Sequence, residues 1–322
     1  MANLKSIKNR INVVKSTQKI TRAMQMVAQA KVKKAENAVK SSRPFTLQLY
    51  DILCKLYKEV NKTEIEKINT KTSLENYPEL LKEREAKTVA LVIISANKGL
   101  AGAYCANIVR HSINLIKKYT LQGKNVALYF IGKKAIAPIK TLQNEYKFEI
   151  KNTFGSIMDS INSSSSYIIA STLADDYINQ EIDEIQLVTT RYKNMMSYKA
   201  ENWQMLPLIS NSAKIREFRR QELDEELQIE YNGHKIEPLS EYFPDFKSVL
   251  SSAVPMYITN VIYQALLEAQ ASELASRMTA MSNATNNAQE LISTLTIEYN
   301  KIRQAGITNE ITEVISGAGA LE

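Results

Sequence analysis

The fold follows from residues 267–302, LEAQASELASRMTAMSNATNNAQELISTLTIEYNKI, where apolar or small side chains alternate at spacings of four and three residues. The alternation runs through five heptads, and no Gly or Pro occurs between residues 256 and 305. A heptad repeat of this length is typical of a coiled coil, so we predict a helix of about 50 residues, roughly 75 Å long. Its seam, with Thr285 as the one polar position, consists of Leu267, Ala271, Leu274, Met278, Met281, Thr285, Ala288, Ile292, Leu295, Tyr299 and Ile302.

The first 43 residues predict the partner helix, because they contain no Gly or Pro and are rich in the helix formers Ala, Lys, Met and Gln. We expect a second apolar stripe of Ile20, Met24 and Val27 to continue the packing surface beside the main seam, because a 3.6-residue turn shifts a 3.5-residue repeat around the helix. Pro44 is predicted to end the helix, since Arg43 before it is biased away from helical angles. The main seam runs through Leu4, Ile7, Ile11, Val14, Gln18, Thr21, Gln25, Ala28, Val32, Ala35 and Val39.

The net charge of +7 is concentrated at the two ends of the 322-residue chain. Residues 1–43 carry +10, with Glu36 as their one acid, whereas residues 256–322 carry −4. Opposite charges favour antiparallel pairing of the two terminal helices. Two alternative functions remain open. The basic helix is compatible with nucleic-acid binding, although no zinc-finger, RNP or helix-turn-helix motif accompanies it. The long helices are compatible with a scaffold that bundles partners.

The middle of the chain alternates between strand and helix patterns, which predicts a Rossmann-like α/β domain over residues 86–208. The predicted strands are Thr88–Ser95, Asn125–Gly132, Ile182–Arg191 and Ser197–Leu208. The predicted helices are Ala101–Leu121, Lys134–Lys147 with an interruption at Pro138, and Ser156–Gln180. The fold class is therefore α/β, with this domain inserted between the helices of a long antiparallel coiled coil. We place the N-terminal coiled-coil segment at 1–60, an irregular insert at 209–250 and the C-terminal coiled-coil segment at 251–322.

No motif for chemistry accompanies the α/β pattern. The glycines at 99 and 102 do not form GxGxxG, and the run after Gly132 lacks the first glycine and the Ser/Thr of a phosphate-binding loop. His111 and His234 have no partner at triad or metal spacing, and two distant cysteines suit a reducing compartment. We predict no catalytic residue, cofactor or metal site, so an enzyme is the least favoured class.

Three segments resemble the gamma subunit of the rotary ATP synthase family. They are RINVVKSTQKITRAMQMVAQAKVKKA at residues 10–35, SANKGLAG at 95–102, and ASELASRMTAMSNATNNAQELISTLTIEYNKIRQAGITNEITEVISGAGAL at 271–321. The middle segment departs from the family at Ala101, where a cysteine is common. Two long motifs at opposite ends, in the expected order and length, make the resemblance specific.

The resemblance implies a central shaft that couples proton flow through a membrane c ring to ATP synthesis or hydrolysis. Its partners would be a hexamer of alpha and beta subunits, the epsilon subunit and the c ring, with one shaft per complex and no nucleic acid. The terminal helices would form an asymmetric coiled coil inside the hexamer, which would force each beta subunit in turn into a different conformation. By position, the subunit contacts would be Met24, Arg277, Arg303, Gln304, Thr308 and Glu310.

The sequence also bears on location. It shows no apolar run long enough to span a bilayer, and its lysine-rich start lacks the apolar core of a secretory signal. The start is also richer in Lys than in Arg, which argues against a mitochondrial transit peptide. We therefore expect a peripheral protein on the cytoplasmic side of a bacterial plasma (inner) membrane, held there only through its complex.

Overall fold

The computed structural model describes residues 2–59, 80, 84–207 and 246–319. Two helices of 58 and 74 residues enclose five strands and three shorter helices within these ranges. Two short 3₁₀ segments lie at Thr141–Asn144 and Ile157–Asp159. In chain order the main elements are α1 (Ala2–Glu59), β1 (Thr88–Ile94), α2 (Tyr104–Leu121), β2 (Asn125–Ile131), α3 (Ile136–Lys140), β3 (Phe148–Phe154), α4 (Ser163–Ile178), β4 (Glu184–Asn194), β5 (Ser197–Leu206) and α5 (Phe246–Gly319).

The terminal helices pair in opposite directions. Ile7 and Ile11 at the start of α1 pack on Leu295 near the end of α5, whereas Val39 packs with Leu267 further back along it. Every predicted seam residue of both helices is buried or half-buried, so the predicted coiled coil is confirmed. This follows from the repeat itself, because a seam of period near 3.5 stays on one side of a helix for its whole length.

The second apolar stripe on α1 was predicted wrongly. Ile20 is 61% exposed and Val27 is 57% exposed, and only Met24 between them is half-buried. A helix with a single partner buries one stripe, and α5 already occupies the seam through Thr21 and Gln25. The stripe therefore remains on the surface of this chain.

Pro44 does not end α1, which continues to Glu59. Beyond the proline, Leu49 and Leu53 are buried in the main core against α5, and Arg43 before it forms an ion pair with Glu268. Contacts on both sides of Pro44 thus compensate for the one helical hydrogen bond that proline removes. Helix propensity is a weak preference that tertiary packing commonly overrides.

Helix α5 is also longer than predicted. It begins at Phe246, contains Pro255, and continues past Gly306 to Gly319. Residues 246–250, which we assigned to the irregular insert, therefore belong to this helix. The rest of the insert and His234 lie outside the described residues.

The sheet has the order β3-β2-β1-β4-β5, in which the first four strands are parallel and β5 is antiparallel to β4. One face, including Val92 and Tyr129, packs on α1, α4 and α5, and the other, including Leu91 and Phe130, packs on α2 and α3. The strand order reverses at β1, as in doubly wound folds, so the predicted α/β domain is confirmed. The strand predicted from Ser197 is present as β5, and its antiparallel pairing with β4 makes the sheet mixed.

Strand β3 is absent from our prediction, which assigned a helix to Lys134–Lys147 and nothing to residues 148–155. That helix is a five-residue turn with Pro138 inside it, followed by the 3₁₀ segment. Strand β3 lies at the edge of the sheet with one of its seven residues buried and three exposed, so it lacks the continuous apolar run of a buried parallel strand.

Candidate functional site

We define the shaft as residues 4–43 of α1 paired with residues 267–302 of α5. At its far end Ile7, Ile11 and Leu295 are at most 9% exposed, and Val14, Tyr299 and Ile302 pack around them. Closer to the sheet, small side chains such as Ala271 and Ala275 are fully or almost fully buried, which lets the helices approach closely. The shaft is a two-helix rod, because no third element covers its far end among the described residues.

A polar layer interrupts the seam in the middle of the shaft. The hydroxyl oxygens of Thr21 and Thr285 lie 2.8 Å apart, and Gln18 Nε2 donates to Gln289 Oε1 at 2.7 Å. Polar side chains in a coiled-coil seam satisfy each other in one alignment only, so they specify register at some cost in stability. The sequence marked Gln18, Thr21 and Thr285 as polar seam positions, and the structure brings all three together.

The outer face of α1 in the shaft is basic and partly apolar. Val13, Ile20 and Val27, spaced by seven residues, are all more than half exposed on α1. A surface of one sign concentrates a field that favours an oppositely charged partner. Ten cationic side chains are exposed along the same helix, namely Lys5, Lys8, Arg10, Lys15, Lys19, Arg22, Lys31, Lys33, Lys34 and Lys40.

The last turns of α5 form a tip that extends past the final seam residue, Ile302. The tip carries four of the predicted contact residues, Arg303, Gln304, Thr308 and Glu310, all of them exposed. Thr308 donates its hydroxyl to the Gln304 carbonyl at 2.9 Å, within the helix. An apolar stripe at helical spacing is exposed on the same turns and consists of Ile307, Ile311, Val314 and Ile315.

The two other predicted contact residues lie elsewhere. Met24 is half-buried on α1, one turn beyond Thr21 of the polar layer. Arg277 lies near the sheet, where it pairs with Glu273 and its guanidinium lies 3.4 Å from the Gly99 carbonyl oxygen. The structure therefore distributes the six residues over three levels of the molecule and does not gather them into one pocket.

The loop after β1, residues 95–102, rests on α5 beside Arg277. Ser276 Oγ donates to the Ala101 carbonyl at 2.7 Å, and Gly102 adopts φ +53° above the same turn. A Cβ at Gly102 would lie 3.0 Å from Ser276 Oγ and 3.4 Å from the Ala280 side chain. Glycine at 102 thus permits the close contact between this loop and the shaft.

A buried ion pair, which our reading of the sequence missed, joins the shaft to the sheet. Arg43 Nε donates to Glu268 Oε1 at 2.7 Å and one terminal nitrogen donates to Oε2 at 2.9 Å, with the Glu268 side chain 1% exposed. The same Arg43 nitrogen donates to the Tyr192 carbonyl at 2.6 Å, and Tyr192 N–H donates to Glu268 Oε2 at 2.7 Å. Gln264 Nε2 donates to the other carboxylate oxygen at 2.9 Å. The one available signal was a glutamate within the apolar run ALLEAQA at residues 265–271.

Two described side chains, the Tyr192 phenol beside this ion pair and the Cys105 thiol on α2, have pKa values raised by burial. Burial, with the charge of Glu36 adding to it, raises the pKa of Tyr192 to about 12. Burial also raises the pKa of the Cys105 thiol, and a protonated thiol is a poor nucleophile. Among the described residues, no group of three or more His, Cys, Asp or Glu side chains could hold a metal ion, and no helix is long and apolar enough to cross a membrane.

The fold and this surface define a class of protein: a two-helix rod on an α/β base, with charged and apolar side chains exposed along its length. The model of the ATP synthase family matches residues 3–321. The ATP synthase gamma chains of Picosynechococcus sp. and Gloeothece citriformis are 35% and 37% identical to this chain, with all of each sequence covered. The chain belongs to the ATP synthase gamma chain family.

Solved structures share the fold. A chain in the structure of the Euglena gracilis mitochondrial ATP synthase (OSCP/F1/c-ring) aligns with TM-score 0.60 and 19% identity, covering 99% of this chain and 95% of that one. A chain in the Tetrahymena thermophila mitochondrial ATP synthase structure (central stalk/c-ring) aligns with TM-score 0.54 and 23% identity, covering 82% and 99%.

Proposed function

We propose that this chain is the central rotating shaft of an ATP synthase. It couples proton flow through a membrane c ring to ATP synthesis or hydrolysis in a surrounding hexamer of alpha and beta subunits. The observation that carries this proposal is the shaft itself, a rod whose basic, partly apolar surface has no covering from the described part of the chain. The family membership along the whole chain supports the same role.

Such a rod can transmit its rotation to the hexamer because its surface is asymmetric. The two helices present different surfaces, since α1 carries ten exposed cations and the last part of α5 is acidic. When a rod of this kind turns inside a ring of equal sites, each site meets a different surface in turn. A site changes conformation only as far as its contact energy differs between the states, so an asymmetric rod biases the three beta subunits differently.

In this proposal, each group of predicted contact residues makes its own contact with the hexamer. Arg303, Gln304, Thr308 and Glu310 lie on the exposed tip and would seat it in the hexamer. Met24 and Arg277 would meet the moving parts of the beta subunits lower down. The basic face of α1 suits acidic segments of the hexamer, because opposite potentials guide association and fix orientation.

The proposal also covers the α/β domain, the number of copies of the chain and the location of the complex. The α/β domain sits on the c ring beside the epsilon subunit, one copy of the chain serves each complex, and membrane association occurs only through that complex. The chain itself is non-catalytic, and ATP turnover takes place at beta-subunit sites. Location at the cytoplasmic face of a bacterial plasma membrane fits the bacterial origin of the relatives.

A pulldown of the tagged chain from its own cells tests the proposal, with mass spectrometry and an ATPase assay on the eluate. We expect alpha, beta and epsilon subunits with ATPase activity, and no activity from the purified chain alone. A matched variant that reverses four exposed cations of α1 to glutamate should recover less of the hexamer. Recovery of nucleic acid in place of these subunits, with the nucleic acid released at high salt, would contradict the proposed shaft function and favour a basic nucleic-acid-binding helix.

A further inference from the structure

We propose that Arg43 and Glu268 are positioning residues that transmit torque from the sheet to the shaft. This inference rests on the proposed function. The ion pair lies where the shaft meets the sheet, and it contacts three elements at once: α1 through Arg43, α5 through Glu268 and β4 through the backbone of Tyr192. We call this arrangement the neck joint.

The neck joint replaces a missing strand. Strand β1 pairs with β4 only as far as Ile93 opposite Val188, so Tyr192 lies beyond its end. There the Glu268 carboxylate accepts from the Tyr192 N–H and the Arg43 guanidinium donates to the Tyr192 carbonyl, as a neighbouring strand would. The two helices are thereby bonded to the sheet through its backbone, which moves with the rest of the sheet.

Rigidity follows from the number and direction of these bonds. Arg43 makes three hydrogen bonds from a planar group to Glu268 and Tyr192, and Gln264 holds the same carboxylate from a fourth direction. A bidentate guanidinium–carboxylate pair resists rotation in a way that apolar contacts, which can slide, do not. By comparison, the lower link from Thr189 Oγ1 to the Ala265 carbonyl, at 3.1 Å, joins β4 to α5 alone.

The chain offers a matched control within the same strand. Arg191 and Glu201 form a pair of the same residue types with a 3.1 Å contact and side chains 14% and 12% exposed, but both partners belong to the sheet. Variants Arg43→Lys and Glu268→Gln disturb the neck joint, whereas Arg191→Lys and Glu201→Gln disturb an equivalent pair that does not connect sheet and shaft. Lysine keeps the charge of Arg43 but has a single nitrogen in place of the planar guanidinium, so it loses the bidentate contact to the Glu268 carboxylate.

The experiment uses the assembled complex in inverted membrane vesicles, with ATP hydrolysis and proton pumping measured together under an opposing proton gradient. We expect Arg43→Lys and Glu268→Gln to lower the protons pumped per ATP hydrolysed by about half or more. Arg43→Lys loses the bidentate contact to the carboxylate, and Glu268→Gln leaves the Arg43 charge without its anionic partner. The Arg191→Lys and Glu201→Gln complexes should keep the unmodified ratio. A purely stabilising role would change the amount of complex and leave the ratio per assembled complex unaltered.

The outcomes separate this inference from the proposed function. An unchanged ratio in Arg43→Lys at the highest gradient overturns the neck joint as a torque link, even though the chain remains the shaft. If Glu268→Gln prevents assembly, Arg43→Lys decides alone. Failure of the unmodified chain to assemble with the alpha and beta subunits would instead contradict the proposed function.

Discussion

Replacing Leu295 with Ala should open the far end of the shaft without disturbing the sheet. Leu295 is 4% exposed and packs on Ile7 and Ile11, which are 8% and 9% exposed. A buried Leu→Ala change costs about 2–5 kcal/mol, and a two-helix seam that can partly close suggests about 2–3 kcal/mol. Since about 1.4 kcal/mol is a factor of ten, amide hydrogen exchange near the site should accelerate by about 30-fold or more.

Hydrogen exchange resolved by peptide is the assay, because it distinguishes local opening from global unfolding. Peptides covering residues 4–14 and 292–302 should exchange faster, while those from β1 and β2 keep their protection. Leu291→Ala is the matched control, since Leu291 is 40% exposed on the same helix and its truncation should change stability by less than about 0.5 kcal/mol. Equal acceleration by the two variants would refute the packing argument, and so would uniform acceleration across the sheet.

Four further predictions follow from the same structure. Met24→Lys should impair coupling while assembly persists, because a new charge at a sliding contact pairs wrongly with acidic groups; unchanged proton pumping per ATP would count against a contact role. Deleting the residues after Gly306 removes the apolar stripe of the tip together with Thr308 and Glu310 and should weaken binding to the hexamer, and full assembly and torque from the shortened chain would argue against that role. Gly132→Ala should sharply lower the melting temperature, because its φ is +89° and a Cβ would lie 2.1 Å from a carbonyl oxygen; Gly123→Ala, with φ +75° and open space, should cost only about 1 kcal/mol. Burial lowers the pKa of His111 below 6.5, so its contribution to stability should be lost as the pH falls through the folded-state pKa, and His111→Gln should flatten that part of a stability-against-pH curve; an unchanged slope would contradict this.

Local patterns predicted the shaft well. The seam positions of both helices, including the polar Gln18, Thr21 and Thr285, are buried or half-buried where the repeat placed them. Periodicity is a property of neighbouring residues, so it can be found without knowing what the helix packs against. The buried strands were equally predictable, because a continuous apolar run such as residues 88–94 is typical of a parallel strand that is buried on both faces.

The candidate contact residues were predictable for another reason. They came from a resemblance in sequence, and the structure places Arg303, Gln304, Thr308 and Glu310 on one exposed tip. Their roles remain predictions, since a side chain exposed on one chain does not identify its partner. Nothing in the local pattern distinguished the exposed Ile20 from a seam residue, because both are apolar at helical spacing.

By itself, then, the sequence determined the class of fold, the two seams, the polar positions within each seam and the uneven charge of the ends. Only the tertiary structure decided that α1 continues through Pro44, that β3 completes the sheet edge, and that Arg43 and Glu268 join the shaft to Tyr192. The physical reason is the separation along the sequence between the residues that interact. Apolar periodicity acts between residues three or four apart, whereas the bond from Arg43 to Glu268 spans 225 residues and forms only where packing brings three elements together.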